Sequence, residues 1–468
     1  MGSKWESKLL GELCHEITVG FVGSMTNEYI DDGVPFLRSK NIEEYNVKWE
    51  DMKYVSQEFH QRLKKSALRA GDVAIVRTGK PGTTCVIPEE LSEANCSDIV
   101  IARVNDEVLC PHYLSYFMNA MAHGQINAHV VGAVQQHFNV GSAKKLMIPL
   151  PAREIQSEIV GILKALDDKI KINLQINQTL EQMAQTLFKS WFVDFDPVMD
   201  NALDAGNPIP DELQHRAEAR KAVRQGRATA DKEREGFKPL PDDVRQLFPD
   251  AFEESELGWV PKGWAVRKIS DFGSVICGKT PSKKIPEYYG SDVPFLKIPD
   301  MHGNVFVVKT TDRLSSEGSN SQVKKLVPKD SISVSCIATV GLVSISTDPM
   351  HTNQQINSIV PSQPRFRDYL YFSMKEKRKQ FHDLASGGST TLNMNTGVFS
   401  RVSVLKPSDA ILDMFQTRSS ALLERIKLSS TENESLAALR DTLLPKLISG
   451  ELCLDNAEAA VVQETVSA

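Results

Sequence analysis

Val34-Pro35-Phe36-Leu37 recurs 259 positions later as Val293-Pro294-Phe295-Leu296. Outward from that frame, Lys4-Trp5 falls opposite Gly263-Trp264 at the same spacing, and residues 64–86 align with 324–345. Further along, Gly132, Asn139, Gly141 and Pro151 match Gly388, Asn395, Gly397 and Pro407 at a spacing of 256. That register holds through Asn177, Leu180, Thr186 and Leu187, which sit opposite Asn433, Leu436, Thr442 and Leu443. A register that drifts by only a few residues over about 190 positions marks a duplication.

Each copy has two parts. The first, 1–150 and 258–406, carries short β-type runs such as Asp72-Val73-Ala74-Ile75-Val76 and Ser331-Ile332-Ser333-Val334-Ser335, separated by Gly, Pro, Asn and Asp. Local helices are expected at 111–121 and 367–384. These parts read as mixed α/β domains of similar build. The second part, 151–193 and 407–453, is helical. Ile159, Leu166, Asn173, Leu180 and Leu187 are spaced by sevens, with Leu163, Ile170 and Trp191 on the neighbouring seam. The second copy supplies Phe415, Leu422, Leu436 and Leu443, with Ile426 and Leu447 alongside and Ser429 opposite the polar break at Asn173. Two arrangements would hide these stripes: an intramolecular antiparallel pair, or each helix lying on its own globular domain. The length of the stripe favours the pair, with Asn173 and Ser429 disfavouring shifted registers.

The fold class is therefore α+β: two similar mixed α/β domains separated by two long antiparallel coiled-coil helices, in a pseudo-twofold repeat. Residues 194–257 read as an acidic connector with one or two local helices and no core. Residues 454–468 read as a disordered tail.

The formal net charge of −6 is not evenly spread. Residues 194–256 hold 16 acidic and 9 basic side chains, which leaves 45 basic and 44 acidic elsewhere. Any affinity for a polyanion must come from local patches. No run of about 18 apolar residues occurs, so no membrane-spanning helix is expected. The N-terminal Met1-Gly2-Ser3-Lys4-Trp5-Glu6 has no apolar core of a signal peptide, and a cytoplasmic location is expected. The seven cysteines are scattered, with no C-x-x-C pair, and read as free thiols with no zinc site.

Several motifs invite chemistry and fail on spacing. Arg77-Thr78-Gly79-Lys80-Pro81-Gly82-Thr83-Thr84 lacks the phosphate-loop pattern, and a proline stands where a helix should begin. Its counterpart, Cys336-Ile337-Ala338-Thr339-Val340-Gly341, has no lysine, so a strand-closing turn is the better reading. Asn207-Pro208-Ile209-Pro210 resembles the N-P-P-[FY] signature of amino-methyltransferases but has no aromatic residue. No set of convergent catalytic groups recurs in both copies, and no metal site is expected.

The polar tips carry more information, because the frame repeats while the tips differ. In the first copy the candidates for contacting DNA are Arg38, Ser39, Lys40 and Asn41 after the repeated frame. Arg77, Thr78 and Lys80 follow in the glycine turn, and Gln135, Gln136, His137 and Asn139 in a polar loop. In the second they are Lys279, Thr280, Lys297, Thr339, Thr390, Thr391, Asn393 and Asn395. Amides, hydroxyls and cations of this kind address base edges and phosphates.

The duplicated order of these motifs resembles the specificity subunit of type I restriction–modification enzymes, over residues 3–454. Its carriers are the Val34-Pro35-Phe36-Leu37 frame and the run Gly71-Asp72-Val73-Ala74-Ile75-Val76-Arg77-Thr78-Gly79. To these are added Ile148-Pro149-Leu150-Pro151 with Glu154, Gln156 and Ile159, and Phe192-Val193-Asp194-Phe195-Asp196-Pro197-Val198. The closing Leu443-Leu444-Pro445-Lys446-Leu447-Ile448-Ser449-Gly450-Glu451-Leu452 completes them. The second copy departs from the pattern where its helix begins: Leu405-Lys406-Pro407-Ser408 replaces the apolar-proline run, and no Gln matches Gln156.

The resemblance implies a non-catalytic DNA-binding subunit with two target-recognition domains, each reading one half of a split double-stranded site. It implies partners as well: two methyltransferase subunits docked on the helices, and motor–nuclease restriction subunits joined to that core. S-adenosylmethionine would belong to the methyltransferase subunit, which methylates adenine, and no cofactor to this chain. A helix over 155–191 would be roughly 55 Å long at about 1.5 Å per residue, which matches up to roughly 16 base pairs of duplex. The competing expectations are a self-contained DNA methyltransferase or nuclease with an unrecognised active site, and a helical scaffold that does not bind DNA.

Overall fold

A computed structural model describes residues 4–91, 93–129, 137–229, 240–386, 392–452, 454 and 457. The chain divides into two compact units, Met1–Lys171 with Ser435–Ala468, and Ile172–Glu434. The expected borders at 150 and 406 are not where packing divides the chain. Each long helix, Arg153–Phe192 and Asp409–Ser449, gives one half to each unit.

In the first unit a four-stranded antiparallel sheet runs in the order Thr84–Val86, Val73–Val76, Ile99–Val104, Cys14–Val19. Its central strands are apolar but for Arg103, because both faces are covered. Val73 and Ile75 join Val100 and Ala102 in one core, while Ala74 and Val76 join Ile99 and Ile101 in another. The period-two alternation of a strand sends neighbours to opposite faces. A second sheet pairs Val34–Leu37 in parallel with Ala94–Cys96, Phe36 opposite Asn95 and Leu37 opposite Cys96. The helix Pro111–Ala120 packs on the first core through Tyr113, Leu114 and Phe117.

The second unit repeats this plan. Gly273–Cys277, Ile356–Pro361, Ile332–Ser335 and Val343–Ser346 are neighbours in the corresponding order. Tyr289–Leu296 pairs in parallel with His351–Thr352, Phe295 opposite His351 and Leu296 opposite Thr352. The expected helix over 367–384 is two, Arg367–Glu376 and Arg378–Ala385. One chemical difference stands out. Alternating Ser and apolar residues ordinarily mark a half-exposed strand, yet Ser331, Ser333 and Ser335 are fully buried. Each hydroxyl has a partner: Ser331 donates to Pro328 O at 2.7 Å, Ser333 meets Ser358 at 2.9 Å, and Ser335 accepts from Leu342 N at 2.9 Å. Buried hydroxyls are tolerated when paired in this way.

The long helices run antiparallel inside each unit. In the first, Ile159 and Leu163 share a core with Leu443 and Leu447, and Arg440 pairs with Asp167 at 2.7 Å. In the second, Ala184, Phe188 and Trp191 share a core with Phe415, Leu423 and Ile426. Both arrangements weighed from sequence are present together, since each helical half packs on its partner and on the globular part of its own unit. Leu166 and Leu436 are fully buried, while Ile170, Leu180, Leu187 and Leu422 are partly so. Asn173 donates to Asn433 Oδ1 at 2.9 Å and Glu432 Oε2 at 2.8 Å, and Ser429 donates to Asn177 Oδ1 at 2.6 Å. Where the first helix begins, buried Gln156 accepts from Cys110 N and donates to Val108 O and Pro151 O. The second copy has Leu412 at the matching position, and Gln416, one turn on, accepts from Asp368 N at 3.4 Å. There Ser419 donates to the buried Asp368 at 2.7 Å, and Arg367 pairs with the same carboxylate.

The connector has a core, contrary to the sequence reading. Met199, Leu213 and Ala217 are buried together with Leu203, Ile209, Phe252 and Trp259 packed around them, and Val244 and Phe248 join the main core of the unit. Its charge pattern hid this, because acids on the helix Asp196–Ala205 meet bases from the next helix, Gln214–Thr229. Arg220 grips Asp200 bidentately at 2.9 and 2.7 Å, and Arg224 pairs with Asp204 at 2.5 Å. Of the expected disordered tail, the described residues are Leu454 and Ala457. Both are helical, and Ala457 is fully buried in the first unit. The rest of that expectation lies outside the described residues.

Arg220 is 7 % exposed and Asp200 16 %. Removing one partner of such a pair costs about 3–5 kcal/mol, whereas replacing both with apolar residues is close to neutral. Arg220→Ala is therefore expected to lower the urea midpoint of the second unit sharply. Arg220→Met combined with Asp200→Leu should restore most of it. Equal losses in both variants would show that the pair contributes more than mutual compensation.

Candidate functional site

In the first unit four polar segments meet at the ends of the parallel strand pair. After Val34–Leu37 the chain enters the short turn Ser39–Asn41. Asn41 closes it, accepting from Arg38 N at 3.1 Å and donating to Lys48 O at 3.1 Å. Asn41 is fully buried, which corrects its sequence assignment: its amide braces the loop and reaches no solvent. Arg38 and Lys40 both pair with Asp51, and the Lys40 ammonium is the main cause holding that carboxyl down to about 2.

The second segment is the glycine turn. It joins Val73–Val76 to Thr84–Val86, with Gly82 N donating to Val76 O at 2.9 Å. No helix starts there, as the strand-turn reading expected. Gly79 and Gly82 have φ of 82° and 92°, a region that glycine enters without steric cost. In the second unit Ala338 and Gly341 take the same positions at φ of 63° and 88°.

The third segment is a residue that sequence reasoning missed. Asp98, itself at φ 55°, accepts from the Ser39 hydroxyl on its backbone O at 2.8 Å. Its carboxylate accepts from the Thr78 hydroxyl and lies 3.4 Å from the Arg77 guanidinium. One aspartate thus ties the loop after the repeated frame to the glycine turn. Its only sequence signal is a Ser-Asp pair between two apolar runs, Ala94–Cys96 and Ile99–Val104. The fourth segment is the end of the polar loop. Phe138 N donates to Arg77 O at 3.1 Å, and Asn139 caps a short helix by accepting from Ser142 N at 2.9 Å. His137 is half-buried there, and Lys80 is exposed at the tip of the turn. Gln135 and Gln136 lie outside the described residues.

The second unit assembles the same four segments with other side chains. Met394 N donates to Cys336 O at 2.9 Å, and Asn395 caps a helix through Val398 N at 2.9 Å. Asn393 and Thr339 are exposed. Lys297 pairs with Asp312 and sits 5.5 Å from the Phe295 ring centroid. Asp300 takes the bracing place of Asn41, accepting from Lys297 N at 3.0 Å. Thr280 donates to Gln354 at 2.5 Å, and Lys279 is exposed. Thr390 and Thr391 lie outside the described residues.

Among the described residues no group of three His, Cys, Asp or Glu side chains is placed to hold a metal. Burial pushes the Cys85 thiol up to about 12 and Cys336 up to about 11, away from the thiolate a nucleophile needs. Asn207-Pro208-Ile209-Pro210 is an irregular stretch of the connector, with the Asn207 amide donating to Asp250 O at 2.8 Å. No described helix is long and apolar enough to cross a membrane.

Known proteins share this build. The type I restriction modification DNA specificity domain matches residues 2–182 and again 261–437. The type I restriction enzyme HindI specificity subunit of Haemophilus influenzae is 39% identical over 83% of this chain and 88% of its own length. The MjaIX specificity subunit of Methanocaldococcus jannaschii is 30% identical over 41% of this chain and 45% of its own. The crystal structure of a type-I restriction-modification system S subunit from M. genitalium shares the fold at a TM-score of 0.52 and 13% identity. That match covers 95% of this chain and 96% of the other.

Asp98→Ala removes the carboxylate that holds Thr78 and Arg77 but keeps the backbone O that accepts from Ser39. Backbone amides of 77–80 are expected to exchange hydrogen faster by mass spectrometry, while those of 38–41 and of Val73–Val76 keep most of their protection. Unchanged exchange in 77–80 would mean that something else holds the glycine turn.

Proposed function

The chain belongs to the type I restriction modification DNA specificity family, and on that premise we propose that its two domains each read one half of a bipartite double-stranded DNA site. The observation that carries this reading is the repeated frame with unlike tips. The same strand register and the same glycine turn present Arg77, Thr78 and Ser39 around an aspartate in one unit, and Thr280 with Gln354 beside exposed lysines in the other. Identical half-sites would call for identical tips.

The helix pair sets the spacer between the halves and docks two methyltransferase subunits, to which motor–nuclease subunits are joined. Ile172, Ile176, Met183 and Leu428 are large apolar side chains on these helices that remain exposed, as a face awaiting a protein partner would leave them. S-adenosylmethionine is held by the methyltransferase subunit, and this chain supplies the address. Purified alone with S-adenosylmethionine and DNA, it transfers no methyl group; robust transfer would overturn the assignment of roles.

Methylation-site sequencing in cells with and without the chain tests the reading directly. A bipartite adenine motif is expected to vanish on deletion, and exchanging residues 1–150 should alter one half only. The spacer follows the helices. A heptad inserted in each adds about 10 Å, so the preferred spacer should grow by about three base pairs. A spacer that stays fixed would mean that the helices do not measure it.

A further inference from the structure

In both units a loop leaves the edge strand of the main sheet and crosses the turn that follows the parallel pair. In the first, Gly20 N donates to Ile99 O at 2.8 Å and Phe21 N to Cys96 O at 2.7 Å. In the second, Gly278 N donates to Ile356 O at 3.1 Å and Lys279 N to Thr352 O at 2.9 Å. The crossing is close: a Cβ on Gly278 would fall 2.1 Å from Asn353 O, and one on Gly20 would fall 2.8 Å from Cys96 O. Glycine is required at both places, and what the loops carry beyond it differs.

Residues 20–27 contain no cation, whereas 278–285 contain Lys279, Lys283 and Lys284. All three are exposed, and none makes an ion pair among the described residues. Under this loop the turn is one residue longer than in the first unit: Asn353, Gln354 and Gln355 stand where Ser97 and Asp98 stand, and Gln354 is the middle residue. Three amides follow one another there, and two are consumed locally. Asn353 Nδ2 donates to Gln355 Oε1 at 2.9 Å, and Asn353 Oδ1 accepts from Gln355 N at 3.1 Å. Gln354 is exposed, and among the described residues its one polar partner is the Thr280 hydroxyl, 2.5 Å from Oε1. That hydroxyl holds the amide by its oxygen and leaves its NH2 without a partner among the described residues. The oxygen keeps one free lone pair.

An amide offering one donor and one acceptor side by side matches the N7 acceptor and N6 donor of adenine in the major groove. Guanine presents two acceptors at that edge and would leave the carbonyl facing O6. Unpaired lysines beside such a group suit phosphates, which position a protein without specifying sequence. Resting on the reading of the chain as a DNA-specificity subunit, we propose that Gln354 reads an adenine in the half-site of the second domain, and that Lys279, Lys283 and Lys284 anchor the flanking phosphates. Thr280 is a positioning residue that holds the amide in its reading orientation.

The test uses the complex with its methyltransferase subunits, the methylation motif determined by sequencing, and binding to a duplex carrying that motif. Gln354→Ala is expected to relax a single adenine position in one half-site, losing about 5- to 150-fold of discrimination there while the other half stays intact. Gln354→Glu removes the donors and should shift that position toward cytosine, whose N4 donates. Replacing Lys279, Lys283 and Lys284 together by Ala should weaken binding to all sequences alike and make the slope of log K against log salt shallower by about 2–3, without changing the motif. Gln354 is on the surface, so an unchanged melting temperature shows the fold is intact. A motif unaltered by Gln354→Ala overturns the assignment of Gln354 alone. A wild-type complex that shows no bipartite motif overturns both that assignment and the reading it rests on.

Discussion

The contact on which the rest depends is a buried polar layer in the seam of the long helices. Asn173 meets Asn433, and Ser429 meets Asn177. Under the repeat, Asn173 corresponds to Ser429 and Asn433 to Asn177, so the two contacts are counterparts of each other. A duplicated helix packed against its own copy, antiparallel, brings such positions together twice. The apolar seam alone would tolerate a slip by seven residues, since Leu meets Leu again. The polar layer does not, because a slip strands several buried amides and hydroxyls, each at a cost of about 1–3 kcal/mol. A polar seam residue that fixes register at some expense in stability is the best-attested use of buried polarity in paired helices.

From that register the two units acquire the same surroundings. Asp167 meets Arg440 within the first unit, beside a core built from Ile159, Leu163, Leu443 and Leu447. Phe188, Trp191 and Phe415 fill the equivalent role in the second, as a cluster of aromatic rings with centroids 5.9 to 6.1 Å apart. The helices are thus part of each unit's core, and the globular parts are not beads on a separate rod. This explains why the sequence boundary at residue 150 is not a packing boundary: the chain passes from sheet to helix without leaving one hydrophobic cluster.

Much of the fold was legible in the sequence, because the duplication, the strand runs and the seven-residue seam are periodic signals. Periodicity is also where the reading stopped. Asp98 was invisible because its partners are 59 and 20 or 21 positions away, and no spacing rule joins a turn aspartate to a distant serine and threonine. Arg440 was read past because a cation in a seam looks like a flanking residue until Asp167 faces it. The connector was read as coreless, but Asp200 and Asp204 pair with Arg220 and Arg224 across two helices beside a core of Met199, Leu213 and Ala217. Asn41 shows the opposite error, a polar residue next to the right loop whose amide is spent inside it.

The same distinction explains how two domains of one build can address different sequences. The bonds that hold the frame are carried by the backbone: Phe138 N to Arg77 O and Met394 N to Cys336 O, Gly20 N to Ile99 O and Gly278 N to Ile356 O. A backbone bond survives any side chain that the local φ and ψ permit. Arg77 can stand where Cys336 stands, and the two-residue turn Ser97-Asp98 where the three residues Asn353 to Gln355 stand, without loss of the frame. The glycines that cross the turn, the braces Asn41 and Asp300, the caps Asn139 and Asn395, and Asp98 are committed to shape. Exposed tip residues such as Lys80, Thr339 and Asn393 carry no such duty. That freedom is the physical condition for changing what a domain reads while leaving how it folds, and how it packs on the helices, untouched.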